Sequence, residues 1–399
     1  MGSGFSERRL AQVDGYLQRL VDTSAVAGVG ARIIRHGVDA YYKSFGWQNI
    51  EHRIPMHNDS LYRIFSMTKT FTIVTAMTLY EKGLFKLHDP IAEFLPAFAH
   101  AVVAQTDERG IIQFVPAKRP ITFEHLCTMT SGIPYPGTDS YSARFFAEGS
   151  RRIKEDAFQG KAWTTADIVD ECAKVPLCFH PGDYWLYGFS HDVLGRLIEV
   201  ISGMPFSSYM TEAVLKPLQL HDTGFFVPQE KQKRVATVYE ATDRGLIEKD
   251  DFDTDAARPV PPSFESGGGG LISTLADVGT FGSMLLNEGT YQGERILSRK
   301  TVELIRRNHV LPSQRPAQFS FSSQGGYGYG LGVRTMLDTS MAGLNGSDGE
   351  WAWDGMLGTW YCIDPTEDMV AVFLVQRYPG ANEDLPKRFA QTVYGAIDD

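Results

Sequence analysis

The sequence predicts an α+β fold in which an antiparallel sheet, flanked by helices and built from both ends of the chain, carries an inserted, mostly helical domain. Three observations predict it. β-prone runs separated by short turns lie near each terminus. Between them the clear hydrophobic periodicity is helical, with long connections punctuated by Pro and Gly. Residues 65–84 form an apolar stretch too long for a strand. Strands at both ends with helices between them assign residues 1–84 and 271–399 to one discontinuous sheet-containing α/β domain and 85–270 to the helical one, with the active site between the two. No repeat at a fixed period is visible.

Taken in chain order, residues 26–34 and 38–47 are β-prone runs joined across Arg35-His36-Gly37, and they read as a hairpin. The stretch FSMTKTFTIVTAMTLYEKGL (65–84) carries Phe71, Ile73, Val74, Ala76, Met77 and Leu79, with mostly threonine between them. A helix without a charged face is buried. Gly83 supplies its C-terminal stop and Asp89-Pro90 a turn beyond it. DVLGRLIEVI (192–201) is a second helix, with Ser190 as its N-cap. Ser266-Gly267-Gly268-Gly269-Gly270 lacks the following Gly-Lys-Ser/Thr of a phosphate loop, so it reads as a tight turn with close backbone packing. GTWYCID (358–364) and MVAVFLVQ (369–376), separated by Pro365-Thr366-Glu367-Asp368, form the second hairpin.

Composition excludes several classes of function. The 399 residues are 43% hydrophobic and 12% aromatic, which is the make-up of a folded enzyme rather than a disordered chain. A net charge of -10 without any Lys/Arg run argues against nucleic acid and anionic membrane surfaces as partners. No apolar run approaches the roughly 18 residues of a membrane span. Residues 1–6 lack the layout of a signal peptide, so the expected location is the cytoplasm. Cys127, Cys172, Cys178 and Cys362 show neither C-x-x-C nor paired histidine spacing and are expected as buried free thiols. The ten histidines are scattered, and His52 and His57 lack the H-E-x-x-H arrangement; neither a metal nor a cofactor is expected. Oligomeric state leaves no signal in the sequence.

The chemistry concentrates in Ser66-Met67-Thr68-Lys69. Side chains at i and i+3 share a helix face, so Lys69 can reach the Ser66 hydroxyl and take its proton. A serine is a poor nucleophile until such a base is present. The helix N-terminus favours the negative charge that develops during acyl transfer. A lysine inside a buried helix is driven towards its neutral form by desolvation, the state a base needs. The rival segment Gly188-Phe189-Ser190-His191-Asp192 fails as a nucleophile elbow, because Asp192 stands where G-x-S-x-G requires a small residue.

Two further segments follow in order. Tyr187-Gly188-Phe189 comes after Pro181-Gly182-Asp183 and before a helix, and Trp353-Asp354-Gly355 precedes the C-terminal hairpin. With LCTMTSG (126–132), GGGGLISTL (267–275) and GTWYCIDP (358–365), the chain resembles the serine β-lactamase and penicillin-binding-protein superfamily over most of its length, and is most like the class C-like branch that contains the family VIII carboxylesterases. The resemblance implies a β-lactamase-like fold and an acyl-enzyme mechanism on a small-molecule ester or amide. It assigns Ser66 as nucleophile, with Lys69 and Tyr187 sharing the proton and the order between them open. It places the oxyanion hole at the backbone N–H groups of Ser66 and Met356, and substrate contacts at Phe189, Trp353, Asp354, Gly355 and Tyr135. Phe189 stands where β-lactamases have Asn, Trp353 where they have a cationic Lys or a His, and Asp354 is a less familiar variant. Replacing polar groups by apolar ones favours small uncharged carboxylic esters over β-lactams, unless Arg334 folds into the site and supplies a cation. The alternatives are a D-amino-acid peptidase or amidase, a β-lactamase, an acyltransferase, and a catalytically silent binding protein on the same fold.

Overall fold

The computed structural model describes residues 2–136, 141–144, 149, 151–152, 155–156, 161–249, 257–315, 325–380 and 384–399. Its main sheet has eight strands: β1 (Gly28–Arg35), β2 (Val38–Asn49), β3 (Ile54–Pro55), β4 (Tyr327–Tyr329), β5 (Arg334–Met336), β6 (Trp351–Ala352), β7 (Trp360–Asp364) and β8 (Met369–Val375). They lie in the order β4-β5-β6-β7-β8-β1-β2-β3, and all pairs are antiparallel. Both expected hairpins are present. The first turns through His36 and Gly37, both at positive φ (54° and 73°), as a two-residue hairpin loop requires. The second is fixed by Asp364, whose Oδ1 accepts from the N–H groups of Thr366 and Glu367 at 2.9 and 3.2 Å. Strand β8 joins them: it pairs with β7 on one edge and with β1 on the other, Val29 opposite Val375.

Every residue of β8 is buried, because helices cover both faces of the sheet. Met369, Ala371, Phe373 and Val375 point into a cluster with α1 (Glu7–Asp22) and, from α5 (Leu385–Tyr394), Phe389 and Val393. Val370, Val372 and Leu374 point the other way, towards α4 (Leu275–Leu286) and α2 (Thr68–Glu81). There Phe71 stacks on Phe281 with ring centroids 3.7 Å apart. This second cluster continues without a break into Leu126, Val193 and Leu197 of the intervening segment.

Helix α2 is buried on all sides from Thr68 to Leu79. Its threonines tolerate that position by bonding to backbone: Thr72 Oγ1 donates to Gly267 O at 2.7 Å and Thr75 Oγ1 to Phe71 O at 2.8 Å. Gly83, at φ 71°, ends the segment as expected.

The middle of the chain holds helices at Thr165–Lys174 and α3 (Ser190–Ser202), but strands as well. Val102–Thr106 pairs with Ile112–Pro116, and Tyr239–Thr242 with Gly245–Glu248. These hairpins keep much of their surface in water, so their apolar alternation is thin and the helical pattern around them dominates. Ser190 does not cap α3. Phe189 occupies the N-cap position, and the Ser190 hydroxyl pairs instead with that of Ser131 at 2.8 Å. Cys127, Cys172 and Cys362 are buried free thiols, and Cys178 is half-buried. Among the described residues no helix is long and apolar enough to cross a membrane.

Candidate active site

Ser66 sits in a 3-10 turn, Phe65–Met67, that leads into α2. Phe65 is held at φ 42°, a left-handed conformation that an aromatic residue adopts only when its surroundings enforce it. One turn later Lys69 Nζ donates to Ser66 Oγ at 3.1 Å and to Gly268 O at 2.6 Å. Lys69 is wholly buried. Burial pushes its pKa down from 10.5 to about 7, against the opposing pull of the Asp192 and Asp354 carboxylates. Near neutral pH a substantial share of the molecules therefore carries an uncharged amine within reach of the hydroxyl.

Tyr187, just ahead of α3, completes the group. Lys69 Nζ lies 4.5 Å from the centroid of its ring, and its hydroxyl accepts from Trp353 Nε1 at 3.1 Å. Burial raises the phenol above its ordinary pKa, although hydrogen bonding from Ser66 and Trp353 works the other way. Tyr187 thus holds its proton at neutral pH, whereas Lys69 releases its own readily.

The remaining sequence-predicted residues divide into two groups. Tyr135 and Phe189 meet edge to face at 4.8 Å, and Tyr135 tilts against Tyr187 at 5.6 Å, so the three make one aromatic wall. Trp353 stands behind that wall. Only 4% exposed, it stacks on Tyr187 at 5.7 Å and meets Tyr329 edge-on at 5.3 Å, in a cluster with Met129, Trp185 and Val310. Its indole N–H is bound to the phenol, and little of the ring is open as apolar surface. Asp354 Oδ2 accepts from Arg334 Nη1 at 2.9 Å, and Arg334 is itself buried. The guanidinium is committed to that carboxylate.

Gly355 brings the third motif onto the first. A Cβ there would lie 2.4 Å from Ile64 O and 2.1 Å from Thr359 Oγ1, so only glycine lets this turn pack against the backbone two residues ahead of Ser66. Met356 follows with its side chain 37% exposed, and among the described residues its N–H enters no backbone hydrogen bond. The Ser66 N–H belongs to the first turn of a helical segment, where amides lack an intrahelical acceptor.

Sequence reasoning missed Asp192 and the carbonyl of Gly268. Asp192, on α3, accepts at Oδ1 from Ser266 Oγ at 2.5 Å and from Gly268 N–H at 3.1 Å. The only signal was a carboxylate inside an apolar helical run, facing a glycine turn far away in sequence. A Cβ on Gly268 would come within 2.6 Å of Asp192 Oδ2 and 2.8 Å of the Tyr135 hydroxyl. The neighbouring His191 is buried and, among the described residues, neither ring nitrogen has a hydrogen-bond partner; burial, then Lys69, hold its pKa well below the ordinary value. Among the described residues no cluster of His, Cys, Asp and Glu is arranged to hold a metal ion.

Residues 13–394 match the Beta-lactamase family. Protein Rv1367c of Mycobacterium tuberculosis is 31% identical over 381 residues, covering 92% of this chain and 90% of that protein. Esterase EstB of Burkholderia gladioli is 23% identical over 404 residues, covering 96% and 95%. Among solved structures, EstCE1, described as a hydrolase with promiscuous acyltransferase activity, superposes with a TM-score of 0.80 at 24% identity, covering 97% of this chain and 99% of that one; at that identity the likeness establishes the fold.

Proposed function

The chain belongs to the beta-lactamase family, and from that premise we propose that it is a serine hydrolase that turns over small, uncharged carboxylic esters through an acyl-enzyme. The observation that carries this is the buried, readily deprotonated Lys69 amine 3.1 Å from Ser66 Oγ. Ser66 Oγ attacks the ester carbonyl carbon while its proton passes to Lys69 Nζ. The oxyanion is held by the N–H groups of Ser66 and Met356. The C–O bond to the alcohol breaks, the leaving oxygen takes the Tyr187 hydroxyl proton, and Lys69 returns a proton to the phenolate. Water then attacks the acyl carbon with the same groups in reverse, so that one ester and one water give one acid and one alcohol. Under the division at 84/85 and 270/271, Ser66 and Lys69 lie on one domain and Tyr187 on the other, with the reaction between them.

The preference for uncharged esters rests on Arg334. A β-lactam carries a carboxylate that must be held while the ring opens, and the cation nearest the third motif is already neutralised by Asp354. Phe189 and Tyr135 offer aromatic surface to an alkyl or aryl group instead, worth about 0.8 kcal/mol per methylene buried. The test is a panel of p-nitrophenyl butyrate, D-alanyl peptides and a chromogenic cephalosporin on one preparation, alongside Ser66→Ala. The expected result is Ser66-dependent butyrate hydrolysis at least about 100-fold above the cephalosporin in kcat/KM, roughly 2.7 kcal/mol. Comparable values on both would overturn the preference, and full activity in folded Ser66→Ala the mechanism.

A further inference from the structure

The turn that receives the Lys69 amine is not held by its own backbone alone. Two of its internal bonds run from Gly269 N–H and Gly270 N–H to Ser266 O, at 3.3 and 2.9 Å. The carbonyl that matters, Gly268 O, is aimed by a side chain from another element: Asp192 Oδ1 binds the Ser266 hydroxyl on one flank of the turn and the Gly268 N–H at its apex. Lys69 Nζ then lies 2.6 Å from Gly268 O. Asp192 is wholly buried, and its Oδ2 has no hydrogen-bond partner among the described residues, so its charge is not spent on a cation of its own.

Building on the serine-hydrolase reading, we propose that Asp192 is a positioning residue for the base: its carboxylate fixes the 266–270 turn so that Gly268 O faces Lys69 Nζ, and its charge holds the proton that Lys69 takes from Ser66. The only bond change involved is that transfer. The proton leaves Ser66 Oγ as the oxygen bonds the acyl carbon, and the neutral amine becomes an ammonium in a buried site. An ammonium there is stable only if a carboxylate and an acceptor are already in place, and both are supplied by the pair Asp192 and Gly268. Among the described residues, the charged and titratable groups around Lys69 are Asp192 and His191 on α3, Asp354 beyond β6, and the phenols of Tyr187 and Tyr135. Asp354 already pairs with Arg334 and His191 is neutral, which leaves Asp192 as the carboxylate free to respond to the proton on Lys69. Asp192 is itself held above the usual carboxylate range, first by burial, with Ser266, Lys69 and Gly268 opposing.

The experiment compares wild type, Asp192→Asn, Asp192→Glu and Ser266→Ala in the full chain by two readouts. The first is the pH profile of kcat/KM on p-nitrophenyl butyrate. The second needs no turnover: the NMR titration of lysine labelled with 13C at Cε, with the Lys69 signal assigned by its loss in Lys69→Met. Asp192→Asn keeps the shape and the acceptor and removes only the charge, so its Lys69 midpoint and the acid limb of its profile move to lower pH by roughly one pH unit, and the plateau falls about tenfold. Asp192→Glu keeps the charge and leaves the midpoint near wild type. Ser266→Ala slackens the turn and lowers the rate without moving the midpoint. Should the asparagine variant not fold, Asp192→Ser is the neutral replacement. An unchanged Lys69 midpoint in the neutral variant overturns the proposal. Absence of Ser66-dependent turnover in wild type overturns the serine-hydrolase reading alone, because the titration still decides the part played by Asp192.

Discussion

Ser66 stands between two walls that solve opposite problems. On one side α2 and the 266–270 turn bury a lysine whose amine donates to the Gly268 carbonyl, with the Asp192 carboxylate bound to the same turn. On the other, Tyr135, Phe189, Tyr187 and Trp353 form an aromatic group in which an indole N–H donates to a phenol. Burial acts on both and has contrary effects: it drives the amine towards its neutral, basic form and the phenol towards its protonated, acidic one. In the proposed mechanism the same physical cause gives Lys69 the part of base and Tyr187 that of acid, an order the motifs alone left open. Pushing the two values apart with one environment is how adjacent titratable groups acquire separate roles.

Substitutions on each wall sharpen this contrast. Ser66→Ala, which removes the atom both walls serve, is expected to abolish ester turnover by at least about four orders of magnitude in kcat, measured with p-nitrophenyl butyrate. Lys69→Met breaks the polar wall and costs nearly as much activity, but it stabilises the fold. The amine falls from 10.5 to about 7 on folding, so between those values the unfolded chain holds the extra proton and stability rises with pH. The full cost of burying the charge is present below about pH 7, so the methionine variant gains roughly 2–4 kcal/mol there, and the gain shrinks as the pH approaches 10.5. Urea melts at pH 6.5 and pH 10 check this, and equal gains at both would contradict it. Tyr187→Phe keeps the stack and loses the acid, for about two to four orders of magnitude in kcat with little change in melting temperature. Trp353→Phe keeps the apolar contact and removes only the N–H bond to the phenol, so about tenfold is expected. If Trp353→Phe loses as much as Tyr187→Phe, the aromatic wall is more than a support for one hydroxyl.

The legible parts of the molecule are those whose signals are local. Both terminal hairpins follow from alternation and turn residues, and the burial of α2 from its lack of any charged face. The contact of Lys69 with Ser66 follows from i,i+3 spacing alone. What escaped depends on residues brought together from far apart. The pairing of Arg334 with Asp354 spans two strands, and the bonds from Asp192 to Ser266 and Gly268 join a helix to a turn more than 70 residues away. Trp353 was read as open apolar surface because its motif position is known from sequence while its rotamer is not. Ser190 looked like a cap because capping is judged from neighbours in the chain, and its hydroxyl found Ser131 instead.

The position of β8 between β7 and β1 has a consequence for how the protein is made. Strand β1 leaves the ribosome early, but the edge that will receive Val375 beside Val29 waits until roughly 350 further residues are synthesised, about 20–70 s at ordinary rates. For that time the β1–β2 hairpin offers an unpaired row of N–H and C=O groups flanked by Val29, Ala31 and Ile33, the kind of edge that recruits other chains. A slower ribosome lengthens the interval in which that edge stands open, and a chaperone that covers it shortens the exposure.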